Sequence, residues 1–260
     1  MKFFGRFRQK LLAENKFSKY VVYAIGEIIL VVIGILIAIQ INTWRLEQDN
    51  RKTEILLLKN IKSDLETDIQ EYRSVRDFKV SQNEAGLRLL EYMIDASKPL
   101  RDTVQFVNDF QRVIYFIVPC SNRTSFDLAV NTGYLNNITN DRLVKDLSNY
   151  YNNIGLEQHV TETKRFINAY TENYILEKYP MFSDKVQALD GQGGTYPLDH
   201  YSTDKRPVIQ PDAIRGDLGL ENYFNSLSIR LKIGILGLEK EEKWAQELIA
   251  AIDRQLGMLK

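Results

Sequence analysis

Tyr20–Ile41 reads YVVYAIGEIILVVIGILIAIQI, and only Gly26, Glu27, Gly34 and Gln40 fall outside the apolar set. At about 1.5 Å per helical residue the run is roughly 33 Å long, enough to cross a hydrocarbon layer of about 30 Å. It is too long and too uniform for a core helix of a soluble protein. A cleaved signal peptide needs a shorter apolar region and a small-x-small site. Gln40-Ile41-Asn42-Thr43-Trp44 offers no such site. The run is therefore expected to be an uncleaved signal anchor. Trp44 is placed for the outer interface and Tyr20 and Tyr23 for the inner one.

The chain has 34 basic and 34 acidic residues, so its formal net charge is zero. That excludes a strongly basic nucleic-acid binder as a whole-chain reading, and no nucleic-acid partner is expected. The average hides an asymmetry. Lys2, Arg6, Arg8, Lys10, Lys16 and Lys19 stand against a single acid, Glu14, in residues 1–19. A basic flank ahead of the span predicts a cytoplasmic N-terminus, with residues 42–260 beyond the membrane. Phe3, Phe4, Phe7 and Leu11 recur at helical spacing among these cations. The segment reads either as an amphipathic helix on the inner leaflet or as a topogenic flank without fixed structure. The six cations are expected at the membrane surface, and the lipid bilayer is the first expected partner.

Glu27 lies about 10 Å inside the span, where a carboxylate costs on the order of 1–3 kcal/mol. Helical geometry puts Ala24, Glu27, Val31, Gly34 and Ala38 on one face. Gly34 and Ala38 form a small-xxx-small pair that lets a second helix approach closely. This face predicts a helix contact, either with a copy of the chain or with another membrane protein. The alternative is a Glu27 that bonds Tyr23 or snorkels and does nothing more.

Residues 10–44, KLLAENKFSKYVVYAIGEIILVVIGILIAIQINTW, closely resemble the opening of a Bacteroidota family of single-pass membrane proteins known only as a domain of unknown function. Looser similarity continues through Arg123-Thr124-Ser125-Phe126-Asp127, Gly133-Tyr134-Leu135 and Ile138–Leu143, to roughly residue 180. The resemblance implies an anchor in the bacterial inner membrane with the bulk of the chain in the periplasm. It brings no substrate, cofactor or catalytic residue.

Beyond the anchor the pattern is helical. Leu58, Ile61, Leu65, Ile69, Tyr72 and Val75 recur at steps of three or four, and Leu87, Leu90 and Ile94 are read as resuming the stripe. A helix unbroken to about residue 96 and one broken near 81–86 are both compatible with Ser81-Gln82-Asn83-Glu84. Asp102 is a candidate N-cap for a helix with Val104, Val107, Phe110 and Val113 inside, and Pro119 ends it. Ser121 or Asn122 is expected to cap a short helix that Gly133 terminates. Asn140 is expected to cap a helix with Leu143, Leu147, Tyr150 and Ile154 on its face, which Phe166, Ile167, Tyr170 and Tyr174 continue toward Pro180. The last block carries Tyr223, Leu227, Leu231, Leu238, Ala245, Leu248, Ile252 and Leu256. Residues 181–219 read as an irregular, poorly ordered loop. The expected fold is all-α: residues 1–19 as a flank, 20–41 as the transmembrane helix, and 42–260 as an elongated antiparallel helical bundle.

Little in the sequence points to chemistry. The single cysteine, Cys120, excludes a disulfide framework and any CxxC site. His159 and His200 are the only histidines and fit no HExxH or Glu-x-x-His pattern. Asp184, Asp190, Asp199, His200 and Asp204 follow no calcium or zinc spacing, and Gly191-Gln192-Gly193-Gly194 lacks the Lys-Ser/Thr of a phosphate loop. Neither a cofactor nor a metal is expected, and the chain is not expected to be an enzyme. Tyr150, Tyr151, Tyr170, Tyr174 and Tyr179 read as core and rim packing, with an interface role as the alternative. Two functions fit: a membrane-anchored scaffold or accessory protein acting by protein contact, and a ligand-binding sensor module signalling through a partner membrane protein.

Overall fold

The computed structural model describes residues 17–95, 97, 103–153, 155–179, 187–189, 195–197 and 211–259. One helix, α1 (Phe17–Ile94), runs 78 residues without a break. At about 1.5 Å per residue it is about 117 Å long. It carries both the apolar span and the spine of the bundle. The chain then forms α2 (Thr103–Ile114), α3 (Thr124–Thr132), a 3₁₀ turn (Tyr134–Asn137), α4 (Asp141–Tyr151) and α5 (Gly155–Tyr170). A π-helical turn (Thr171–Ile175) and a short helical turn (Leu176–Lys178) follow. The last helix, α6 (Leu218–Met258), has 41 residues and returns antiparallel along α1. Pairs along the two helices set the register: Arg51 with the Leu259 carbonyl at 2.6 Å, Lys62 with Asp253 at 2.6 Å, Arg73 with Glu242 at 2.8 Å, and Ser228 with Asn83 at 2.7 Å.

Helix α6 stops opposite Arg51, so α1 continues alone toward the apolar span. The fold is all-α, with one small addition. Gln187–Leu189 and Thr195–Pro197 pair as an antiparallel ribbon, Ala188 opposite Tyr196. The stretch read as irregular to 219 gains structure earlier, in a 3₁₀ turn at Pro211–Ile214 and in α6 from Leu218. The expected caps at Asp102 and the loop acids Asp184, Asp190, Asp199 and Asp204, with His200, lie outside the described residues.

The interior of α1 keeps a strict seven-residue repeat. Leu58, Ile61, Leu65, Asp68, Tyr72, Val75, Lys79, Gln82, Gly86, Leu89 and Met93 are all buried, at alternating steps of three and four. Helix α6 matches it with Phe224, Leu227, Leu231, Gly234, Leu238, Glu241, Ala245, Leu248, Ile252 and Gln255. This 3.5-residue period keeps one seam facing its partner along both helices. The first stripe, Leu58 to Val75, is buried as expected. Of the continuation only Leu90 packs against the core, half-buried. Leu87 and Ile94 are exposed, and Leu89, Tyr92 and Met93 take the inside. The repeat runs through Lys79 and Gln82, two polar residues that a hydrophobicity pattern places outside. In α2, Phe106 takes the interior place expected of Val104, which is exposed.

The short helices cover the α1–α6 seam in two large apolar clusters, with a small one of Tyr72, Val75 and Leu238 besides. Toward the apolar span, Phe126, Ala129, Leu143 and Leu147 pack on Leu58, Ile61, Leu65 and Leu248. At the far end, Phe106, Phe110, Ile167 and Ile175 pack on Leu89, Leu220, Tyr223 and Leu227. Gly133 ends α3 with φ 76°, the left-handed conformation that favours glycine. Asn140 caps α4, its side chain accepting from the Leu143 N–H. The expected helix from Asn140 toward Pro180 is broken, because Asn152 and Asn153 end α4 and a second helix starts at Gly155. Tyr150 and Tyr151 thus sit on a different helix from Tyr170, and all five tyrosines of the group are buried or half-buried.

Candidate functional site

Ala24, Glu27, Val31, Gly34 and Ala38 share one face of α1, and of these only Ala24 is partly covered by its own chain. A Cβ built on Gly34 would meet nothing within 4 Å. Among the described residues α1 is the one helix long and apolar enough to cross a membrane. Its most apolar stretch has mean hydropathy 2.8 and is not buried in the protein. A helix this apolar, left bare by its own fold, fits a single-pass anchor. Of the six basic flank residues, Lys2, Arg6, Arg8, Lys10 and Lys16 lie outside the described residues, and Lys19 falls in the first turns of α1.

A second arrangement was not foreseen from the sequence. Four polar residues of α1, Glu54, Asp64, Asp68 and Gln82, are aimed at the ends of the short helices. Asp64 and Asp68 stand one turn apart at the start of α3. Asp64 accepts from the Ser125 N–H at 2.9 Å and from the Asn122 amide at 3.0 Å. Asp68 accepts from the Asn122 N–H at 2.6 Å and from the Tyr150 hydroxyl at 3.1 Å. Two carboxylates thus satisfy amides at the positive end of a helix dipole. Asn122 was a candidate cap for this helix, and it does accept from the Thr124 N–H at 3.2 Å. The main caps come from α1, across the fold.

With the Tyr150 proton given to Asp68, Tyr150 accepts from Tyr72 at 3.0 Å, and Tyr72 accepts from Ser121 at 2.8 Å. Tyr151 stacks on Phe126 at 4.4 Å between ring centroids, and Arg123 donates to the Tyr151 carbonyl. The Tyr151 hydroxyl is buried with no hydrogen-bond partner among the described residues. Burial, with help from nearby Asp64 and Glu71, pushes the Asp68 carboxyl up to about 6, against the bonds from Asn122 and Tyr150.

Three further seats follow the same logic. Toward the anchor, Glu54 accepts from the Thr139 N–H at 3.0 Å, one residue before the cap of α4. In the middle, Gln82 donates to the Arg112 and Tyr115 carbonyls at 3.0 and 2.6 Å, covering the negative end of α2. Acids thus meet helix starts and an amide meets a helix end. At the far end Asp217 caps α6 through the Gly219 and Leu220 N–H groups. It also accepts from Tyr174, Lys178 and Tyr179, tying the chain before residue 180 to the start of α6. Burial opposes the Asp217 charge, but those donors hold it well below the usual carboxylate range.

Lys79 differs from these. It is 3% exposed, its stem lies against Gly234, and its ammonium sits 5.3 Å from the Phe116 ring centroid. Burial alone lowers it to about 8.

Among the described residues no three of His, Cys, Asp and Glu converge as a metal site. Cys120 is exposed, and the His159 ring lies 3.0 Å from the Arg230 carbonyl.

Residues 27–155 match DUF6090, a family of unknown function. The match ends at the first residue of α5, short of residue 180 or so, to which the sequence resemblance extends. It contains Glu27, Val31, Gly34 and Ala38 and every member of the Asp64–Asp68–Tyr150 network. No curated protein and no solved structure matches the chain.

Proposed function

We propose that the chain is a membrane-anchored scaffold or accessory protein without enzymatic activity, acting through protein contacts. The observation that carries the reading is the bare face of α1. Glu27, Gly34 and Ala38 lie on a helix that its own fold leaves uncovered, and a polar and two small residues on one face suit close helix packing. The partner is a second copy or another membrane protein. The stripe Ile229, Ile233 and Leu236 on α6, at 61%, 52% and 65% exposure, supports contact along the bundle as well. The basic flank supports an N-terminus in the cytoplasm and a bundle in the periplasm, on a bacterial inner membrane. The long α1–α6 pair supports an antiparallel coiled coil holding the far end about 80 Å from the span.

The test is subunit counting of the full chain in lipid bilayers, with in-cell crosslinking for foreign partners. Association that falls in Gly34→Leu and in Glu27→Leu supports the contact face. Association unchanged in both, or none in the parent, overturns it. A second reading, a ligand-binding sensor module signalling through a partner membrane protein, is favoured by a groove between α4 and α6.

A further inference from the structure

That groove has a volume of about 600 Å³ and lies toward the anchor end of the bundle. Its floor is apolar, formed by Leu143, Leu248 and Ala251 with Trp244 at one end. The two walls run antiparallel. Asn140 reaches Gln255 at 3.3 Å, and the Tyr150 ring lies 5.5 Å from Trp244. This pairing brings Arg142 on α4 and Arg254 on α6 to the anchor-side end. It brings Asp146 and Glu247 to the other end. Each wall therefore carries an acid far from the anchor and an arginine near it. Arg142 and Asp146 pair only loosely, at 3.9 Å, with the arginine side chain 92% exposed.

We infer that this groove binds a short apolar peptide with free termini, its amine beside Glu247 and its carboxylate beside Arg254. Three features choose this occupant. Glu247 and Arg254 are two helical turns apart, about 10.5 Å along α6. An extended tripeptide spans about 10 Å between its ends. Volume separates it from a docked helix: about 600 Å³ is in the range of small-molecule sites and too little for several helical turns. The floor suits apolar side chains, and Met258 at the anchor-side end is 77% exposed and adaptable in shape. The inference rests on the sensor reading and is independent of the contact face in the membrane.

The test uses the full chain in nanodiscs with Trp44→Phe, which leaves Trp244 as the sole tryptophan. Trileucine with free termini is titrated against its emission. A saturable change is expected. The N-acetylated, C-amidated peptide should bind about tenfold or more weakly, the size of one lost charge-assisted contact. Glu247→Gln with Arg254→Gln should erase the difference between the two peptides while leaving the helical circular dichroism unchanged. Ala251→Phe, which fills the floor, should abolish binding of both. No saturable change at millimolar trileucine, or equal binding of free and capped peptides to the parent, overturns the inference. Subunit counting on the same samples reads the scaffold proposal separately.

Discussion

Gln255 on α6 donates through Nε2 to the Oε1 of Glu54 on α1, at 2.9 Å, inside the seam between the two longest helices. Both side chains are buried, and Thr139 completes the layer from the approach to α4. Three separate elements are thus set in register by one carboxylate. Replacing Glu54 by Ala leaves the Thr139 N–H without its acceptor and the Gln255 amide with only the Thr139 hydroxyl. The expected loss is about 1–3 kcal/mol, the cost of buried unpaired polar groups. Urea unfolding of the full chain in detergent measures it, and an unchanged midpoint would contradict the assignment.

Asp68 predicts a pH effect of defined sign. Its carboxyl is raised from 3.8 to about 6 in the folded chain, so folding favours the protonated form. This contribution is fully present below about pH 4 and is lost as pH rises through 6. Asp68→Asn should flatten the difference in melting temperature between pH 4 and pH 7. An upper bound on the effect is about 3 kcal/mol. Parallel curves for parent and variant would remove the prediction's basis.

Lys79 predicts the opposite slope at alkaline pH. Its amine is lowered from 10.5 to about 8, so the folded chain disfavours the charged form. Stability tied to this group is present above about pH 10.5 and is lost as pH falls through 8. Lys79→Met keeps the stem against Gly234 and removes the charge. It should stabilise the bundle at pH 7 by about 1–3 kcal/mol, as replacing a buried unpaired charge generally does. A thermal melt showing destabilisation would mean that the ammonium has a partner.

Gly219 predicts a steric effect. A Cβ there would collide with the Tyr174 side chain that donates to Asp217. Gly219→Ala should cost about 1–3 kcal/mol by overpacking, despite the better helix propensity of alanine. The local readout is faster amide exchange at Gly219 and Leu220, whose N–H groups Asp217 holds. Exchange unchanged at both would show that Tyr174 moves aside freely.

The legibility of this fold varied along the chain for one reason. Where the seam is apolar, as from Leu58 to Leu65 and from Leu227 to Leu231, spacing alone located it. Lys79 and Gln82 broke the pattern, and the inferred stripe slipped to Leu87 and Ile94, which face outward. The Asp64–Asp68 seat was invisible for a related reason. A carboxylate pair one turn apart is ordinary on a solvated helix, and only the arrival of Asn122 and Ser125, more than fifty residues away, makes it a cap.

The sequence by itself determined what depends on neighbours along one helix: the apolar span, the shared face of Glu27, Gly34 and Ala38, the caps at Gly133 and Asn140, and the helical class. Those follow from hydropathy and from contacts three or four residues apart. Only the tertiary structure decided which polar residues lie inside, where α4 ends and α5 begins, and that two walls of opposite direction make one polarised groove. Burial of a charge costs more than any local propensity supplies, so it is tolerated only where a distant segment brings the matching donors. That pairing cannot be read from either segment alone.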